Sequence, residues 1–121
     1  MNISKELLET ILGYKNITSI RLVGNNICII RNNINCILRE THNAINIYEL
    51  AHKCKEWAAN LSPNKHALSS YPRWGDIRNY KKTNGFYYIC QHLVSGAQFE
   101  AETEPEAIFK ACEWLLNELS N

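Results

Sequence analysis

The apolar positions change period several times along the chain, and each change marks an element. Leu7, Leu8, Ile11 and Leu12 recur at helical spacing. Ser4 stands where a helix cap belongs, Ile3 is placed to staple onto the stripe, and Gly13 is placed to end it. Three β-prone runs follow, Ile17–Val23, Ile27–Arg31 and Ile34–Glu40. Gly24-Asn25-Asn26 and Asn32-Asn33 separate them, and both suit tight turns because Gly and Asn tolerate positive φ. The pattern predicts a three-stranded meander. Asn46 then opens a second helix, with Glu49 at capping-box distance. Ile47, Leu50, Ala51, Cys54, Trp57, Ala58 and Leu61 form its broad apolar stripe, and Ser62-Pro63-Asn64 stops it.

From Ser62 to Gly85 no period is sustained, beyond room for a short strand around His66–Tyr71. Order returns at Phe86–His92, a β-prone run turned by Ser95-Gly96. Ala97, Phe99 and Ala101 then alternate with Gln98, Glu100 and Glu102, as in a half-buried antiparallel strand. Thr103-Glu104-Pro105-Glu106 is a full helix start: a capping Thr, a first-turn Pro and a box-closing Glu. Ile108, Ala111, Cys112, Leu115 and Leu119 supply the buried side. The predicted order is α-βββ-α-loop-ββ-α. This is an α+β fold, with one mainly antiparallel sheet of about five strands and three helices. Ile27-Cys28-Ile29-Ile30 is apolar on both sides of its strand, which predicts helices on both faces of the sheet.

The 121 residues suit one domain spanning 1–121, with 62–85 as an inserted loop. Thirteen Lys and Arg against twelve Asp and Glu give a net charge of +1. Such a balance excludes a global pull toward nucleic acid or anionic lipid, so any such binding must come from a local patch. No segment approaches the roughly 20 apolar residues of a membrane span, and the N-terminus lacks the basic start and apolar run of a signal peptide. The expectation is a cytoplasmic protein without membrane contact. The five cysteines (Cys28, Cys36, Cys54, Cys90 and Cys112) contain no C-x-x-C pair and read as small core hydrophobes in a reducing compartment.

The chain lacks G-x-S-x-G, a P-loop and G-x-G-x-x-G. Cys90 and His92 lie two apart on one strand and therefore share a side, which allows a thiolate–imidazole pair. The competing reading packs Phe86, Tyr88 and Cys90 into the core and lets His92 fray at the strand end; it is preferred, and the expectation is no enzyme. His42, His52, Cys54, His66, Cys90 and His92 lack the paired spacing of a zinc site, so no metal or other cofactor is expected.

The segment Lys65–Lys82 is richer. It holds Lys65, His66, Tyr71, Arg73, Trp74, Arg78, Tyr80, Lys81 and Lys82 against a single Asp. Interleaved cations and rings suit phosphate and nucleobase, and Tyr, Trp and Arg also anchor protein interfaces. The bland alternative is a solvated loop with Trp74 and Tyr80 tucked onto the domain. The nine residues are the candidate partner-binding set. Glu100, Glu102, Glu104 and Glu106 gather at the last helix start, where its dipole favours carboxylates.

Two segments carry a resemblance, Ile47-Tyr48-Glu49-Leu50-Ala51-His52-Lys53-Cys54-Lys55-Glu56-Trp57-Ala58 and the stretch Phe99–Trp114 with its Thr103-x-Pro105-x-Ala107-Ile108 core. They resemble small phage and prophage proteins of the "phage α/β/α sandwich" group, in which such a helix precedes a hairpin and a strand–TxPxAIxxA–helix ending. Phe86–Leu119 would cover that ending. The chain departs from the group by its longer basic–aromatic insertion, and the group brings no agreed catalytic residues. The resemblance implies a phage-encoded binding protein that inhibits a host defence component, such as a CRISPR effector, by protein contact. A nucleotide or nucleic-acid binder, for instance a sponge for a defence signalling nucleotide, is the alternative. A homodimer is compatible with either.

Overall fold

The computed structural model describes residues 2–33, 39–61, 65–75 and 77–120. Over these residues it is α+β, with three α-helices and two antiparallel sheets of three strands each. The chain divides into two compact units, Met1–Leu50 and Ala51–Asn121, with the boundary inside the second helix. Among the described residues, no helix is long and apolar enough to cross a membrane.

In the first unit, α1 (Lys5–Leu12) begins where Ser4 predicts. The Leu7 amide donates to Ser4 Oγ at 3.0 Å, and Gly13 ends the helix in the left-handed region with its amide on Glu9 O. Strands β1 (Ile17–Val23), β2 (Asn26–Asn33) and β3 (Arg39–Asn46) follow in the order β1-β2-β3. Antiparallel pairing sets Leu22 opposite Ile27, Ile27 opposite Ile45 and Ile20 opposite Ile29, so these side chains share one face. Ile3 lies with Ile20, Leu22 and Ile27 around one pocket, which puts the N-terminal segment on that face. Leu7, Leu8, Ile17, Ile27, Ile29, Ile47 and Leu50 are this unit's buried residues.

The opposite face is the correction to helices on both sides. Ser19, Arg21, Val23, Cys28, Ile30, His42 and Ala44 line an open groove of about 350 Å³, with Cys28 and Ile30 only half-buried. The register differs too. The second strand continues through Asn33 instead of turning at Asn32-Asn33. Residues 34–38, most of the expected third strand, lie outside the described residues, and β3 occupies Arg39–Asn46. Its half-buried positions are Thr41, Asn43 and Ile45. Two of the three are polar, so the period-2 signal is weak there. Asn43 Oδ1 accepts from Arg31 Nε at 3.1 Å, which satisfies one of them.

Helix α2 (Ile47–Ala59) starts on cue, with Asn46 Oδ1 accepting from the Tyr48 amide at 2.9 Å. Its stripe residues Ala51, Cys54 and Ala58 are buried in the second unit, and His52 is exposed and bonded to Glu56. The expected stop at Ser62-Pro63-Asn64 lies outside the described residues.

In the second unit, β4 (Leu68–Trp74), β5 (Phe86–His92) and β6 (Gln98–Ala101) pair in that order. One sheet of five strands is thus replaced by two sheets of three. The extra strand β4 lies inside the expected loop, and Ser69, Ser70 and Pro72 disguise it. As an edge strand it tolerates Pro72, whose missing N–H costs no ladder bond on the solvent side. Helix α3 (Glu104–Leu119) is capped by Thr103, whose Oγ1 accepts from the Glu106 amide, and carries Pro105 in its first turn. Ala107, Ile108, Phe109, Ala111, Cys112 and Leu115 are buried; Leu119, expected inside, is exposed. Phe99 and His92 both meet the Trp114 ring, so α3 lies on the face carrying Cys90, His92 and Phe99. The second half of α2 joins it there, through Lys55 Nζ on Ser70 Oγ and Cys112 Sγ on the Cys54 carbonyl.

Candidate functional site

The connection from β4 to β5 closes at a neck. The Gly75 amide donates to Gly85 O at 2.7 Å, and the Gly85 amide donates to Tyr80 O at 2.8 Å. Gly85 sits at φ 87°, and a Cβ there would stand 2.8 Å from the Gly75 carbonyl oxygen. A Cβ on Gly75 would meet the Tyr87 ring at 2.6 Å. The neck therefore demands both glycines. Within the loop a single 3₁₀ turn spans Lys81–Thr83, and Thr83 Oγ1 donates to the carbonyls of Tyr80 and Phe86.

The nine sequence candidates divide into two groups. Arg73, Trp74, Arg78, Lys81 and Lys82 are exposed at the end of β4 and on the loop, and Trp74 keeps 72% of its surface. Trp74 touches the Phe86 ring edge-on at 5.0 Å between centroids, and Phe86 in turn meets Tyr88. Ile77, 55% exposed, adds an apolar side chain to the same loop. Lys65 is exposed as well, but it precedes β4 and so lies at the other end of that strand.

Tyr80, Tyr71 and His66 are engaged inside the unit. Tyr80 stacks on Tyr87 with centroids 4.7 Å apart and planes 9° apart, and its hydroxyl donates to Glu100 at 2.9 Å. Burial, then the bond to Glu100 and its negative charge, push the Tyr80 phenol up to about 12. It stays a donor across the physiological range. Tyr71 shares the outer face with Arg73, whose guanidinium carbon lies 5.8 Å from its ring centre, and its hydroxyl reaches Gln91.

His66 lies away from the tip, with Nδ1 2.9 Å from Nε2 of His92. His92 itself does not fray. It is 3% exposed, its Nδ1 lies 2.6 Å from Ser95 Oγ, and its ring meets Trp114 edge-on. Burial, with His66 adding to it, holds the His92 imidazole below its ordinary value. Sequence reasoning missed Ser95, Tyr87 and Glu100; His92-x-x-Ser95 at a Ser-Gly turn was the available signal for the first.

Cys90 is fully buried, and burial is the main reason its thiol rises to about 12. A thiol so protonated has no thiolate to offer His92. Among the described residues, no three His, Cys, Asp or Glu side chains gather as a metal-binding cluster. Comparison of the chain with family models, curated proteins and solved structures returns no match.

Proposed function

We propose that this is a non-enzymatic, phage-encoded binding protein that inhibits a host defence component, such as a CRISPR effector, through the tip formed by Arg73, Trp74, Arg78, Lys81 and Lys82. One observation carries the proposal: Trp74 stands 72% exposed on a paired strand end whose loop is closed by a glycine neck. Trp is among the residues most enriched as interface anchors. The exposed cations on the same strand end and loop suit an acidic partner surface and speed encounter. The likeness of Ile47–Ala58 and Phe99–Trp114 to phage proteins supports the phage setting.

The test is expression in a bacterium with active CRISPR immunity, scoring phage plaquing and recovery of effector subunits on the tagged protein. Wild type should restore plaquing and retain an effector. A Trp74→Ala/Lys81→Glu/Lys82→Glu variant should do neither while unfolding at an unchanged temperature. Full immunity with wild type present, and no defence component retained, would refute the proposal.

The Tyr80–Tyr87 stack beside Lys81 and Lys82 favours a second reading, a nucleotide or single-stranded nucleic-acid binder. Affinity for short oligonucleotides that falls steeply with salt would support it, and flat titrations at low salt would remove it.

A further inference from the structure

The pair His66–His92 lies apart from the proposed binding tip and is built into the backbone of the unit. The Leu93 amide donates to Ala67 O at 3.1 Å, the His66 amide to Ala58 O at 3.0 Å, and the Gly96 amide to His92 O at 2.7 Å. The two rings therefore sit where the end of α2, the entry to β4 and the β5–β6 turn meet. They are nearly parallel, with centroids 5.1 Å apart.

The hydrogen-bond partners fix the protons. The Ser95 amide can only donate, and it lies 3.3 Å from His92 Nδ1, so that nitrogen is the acceptor. The Ser95 hydroxyl donates to the same nitrogen at 2.6 Å while Oγ accepts from the Ala97 amide at 3.2 Å. The His92 proton is then on Nε2, where it is donated to Nδ1 of His66. A proton added to His92 goes to Nδ1, where it confronts the Ser95 N–H and forces the Ser95 hydroxyl to turn round. A donor then meets a donor at the amide, and that contact must open.

We propose that His66, His92 and Ser95 form a proton-operated latch: it holds the Leu93–Gly96 turn closed while His92 is neutral and releases that turn when His92 takes up a proton. The groups that face His92 are few. The entry to β4 presents His66, the turn presents Ser95 and α3 presents the uncharged Trp114. His66 is the charge that acts on it, and it opposes protonation. The turn so controlled carries Leu93 and Val94, 55% and 71% exposed, so release relocates two apolar side chains already in water.

Nuclear magnetic resonance of the full chain between pH 8 and about pH 5 provides the test, following the histidine ring protons together with amide exchange corrected for its intrinsic pH dependence. The Ser95 and Ala97 amides should exchange about tenfold faster, or more, once the His92 ring protonates, while β1–β2 amides stay protected. His92→Asn keeps an acceptor near Ser95 but cannot titrate, and should abolish the change. His66→Gln removes the opposing charge, so opening should move to higher pH. Turn amides equally protected before and after His92 protonates would overturn the latch. So would loss of protection in the turn and in β1–β2 at one common pH, which is global unfolding.

Discussion

The two three-stranded sheets are lined by different kinds of side chain. In the first, Cys28, Ile30, Val23 and Ala44 stand around an open groove with Arg21 and His42, and Arg31 lies over the Tyr14 ring. In the second, ring meets ring from Trp74 through Phe86 to Tyr88, from Tyr80 to Tyr87, and from His66 through His92 to Trp114 and Phe99. The contrast teaches where sequence complexity is spent. A sheet of isoleucines and asparagines needs only register, whereas a sheet of aromatics and histidines also needs each polar atom matched to a partner.

The sharpest way to break the comparison is to cut into each sheet's packing and measure urea unfolding. Phe109→Ala, beneath the second sheet, should cost about 3–5 kcal/mol, since a fully buried ring leaves a cavity. Ile30→Ala, on the half-open face of the first, should cost under about 2 kcal/mol because much of the side chain already meets the groove. Equal losses would mean that the groove is no softer than the core. Thr103→Ala should remove about 1 kcal/mol by orphaning the Glu106 amide at the start of α3, and Thr103→Ser should restore most of it.

A pH series sharpens the difference in polar matching. His92 binds its proton less readily folded than unfolded, so the unfolded chain takes up more protons as pH falls below the ordinary 6.5. The contribution is complete above that value and shrinks as the solution is acidified. The thermal midpoint of wild type should therefore drop more than that of His92→Asn between pH 7.5 and about pH 5. The smallest effect belongs to the tip. Lys81→Glu with Lys82→Glu should shift stability by less than about 0.5 kcal/mol, because both side chains are exposed, so a lost binding activity in that variant reads directly on the surface.

The helices and caps were legible because their signals are local: Ser4, Asn46 and Thr103 each stand one residue before the helix they cap, and each caps as expected. Strands β5 and β6 were legible for the same reason. The part of β3 from Thr41 to Asn46 was missed because Thr41 and Asn43 are half-buried, and a polar inward position erases the alternation that marks a strand. Strand β4 was read as mostly loop because Ser69, Ser70 and Pro72 are turn formers by composition; pairing with β5 overrides them. Of the site, exposure at Trp74 and the cations followed from residue type. The removal of His66 to the side of His92 did not, because a contact across 26 residues leaves no periodic trace. Burial of His92 was missed for the same reason.

Pro72 has one more consequence, for assembly. The outer edge of β4 offers no amide at its midpoint, and the other edge of that sheet, β6, is four residues long and carries Glu100. Neither is a good template for an incoming strand, so this sheet resists growing into a fibril. Strands β1 and β3 are the two edges of the first sheet, and neither has a proline over its seven or eight residues. If two copies join by extending a sheet, the seam runs along one of these edges, and a single proline placed at an outward-facing amide of that edge would keep them apart.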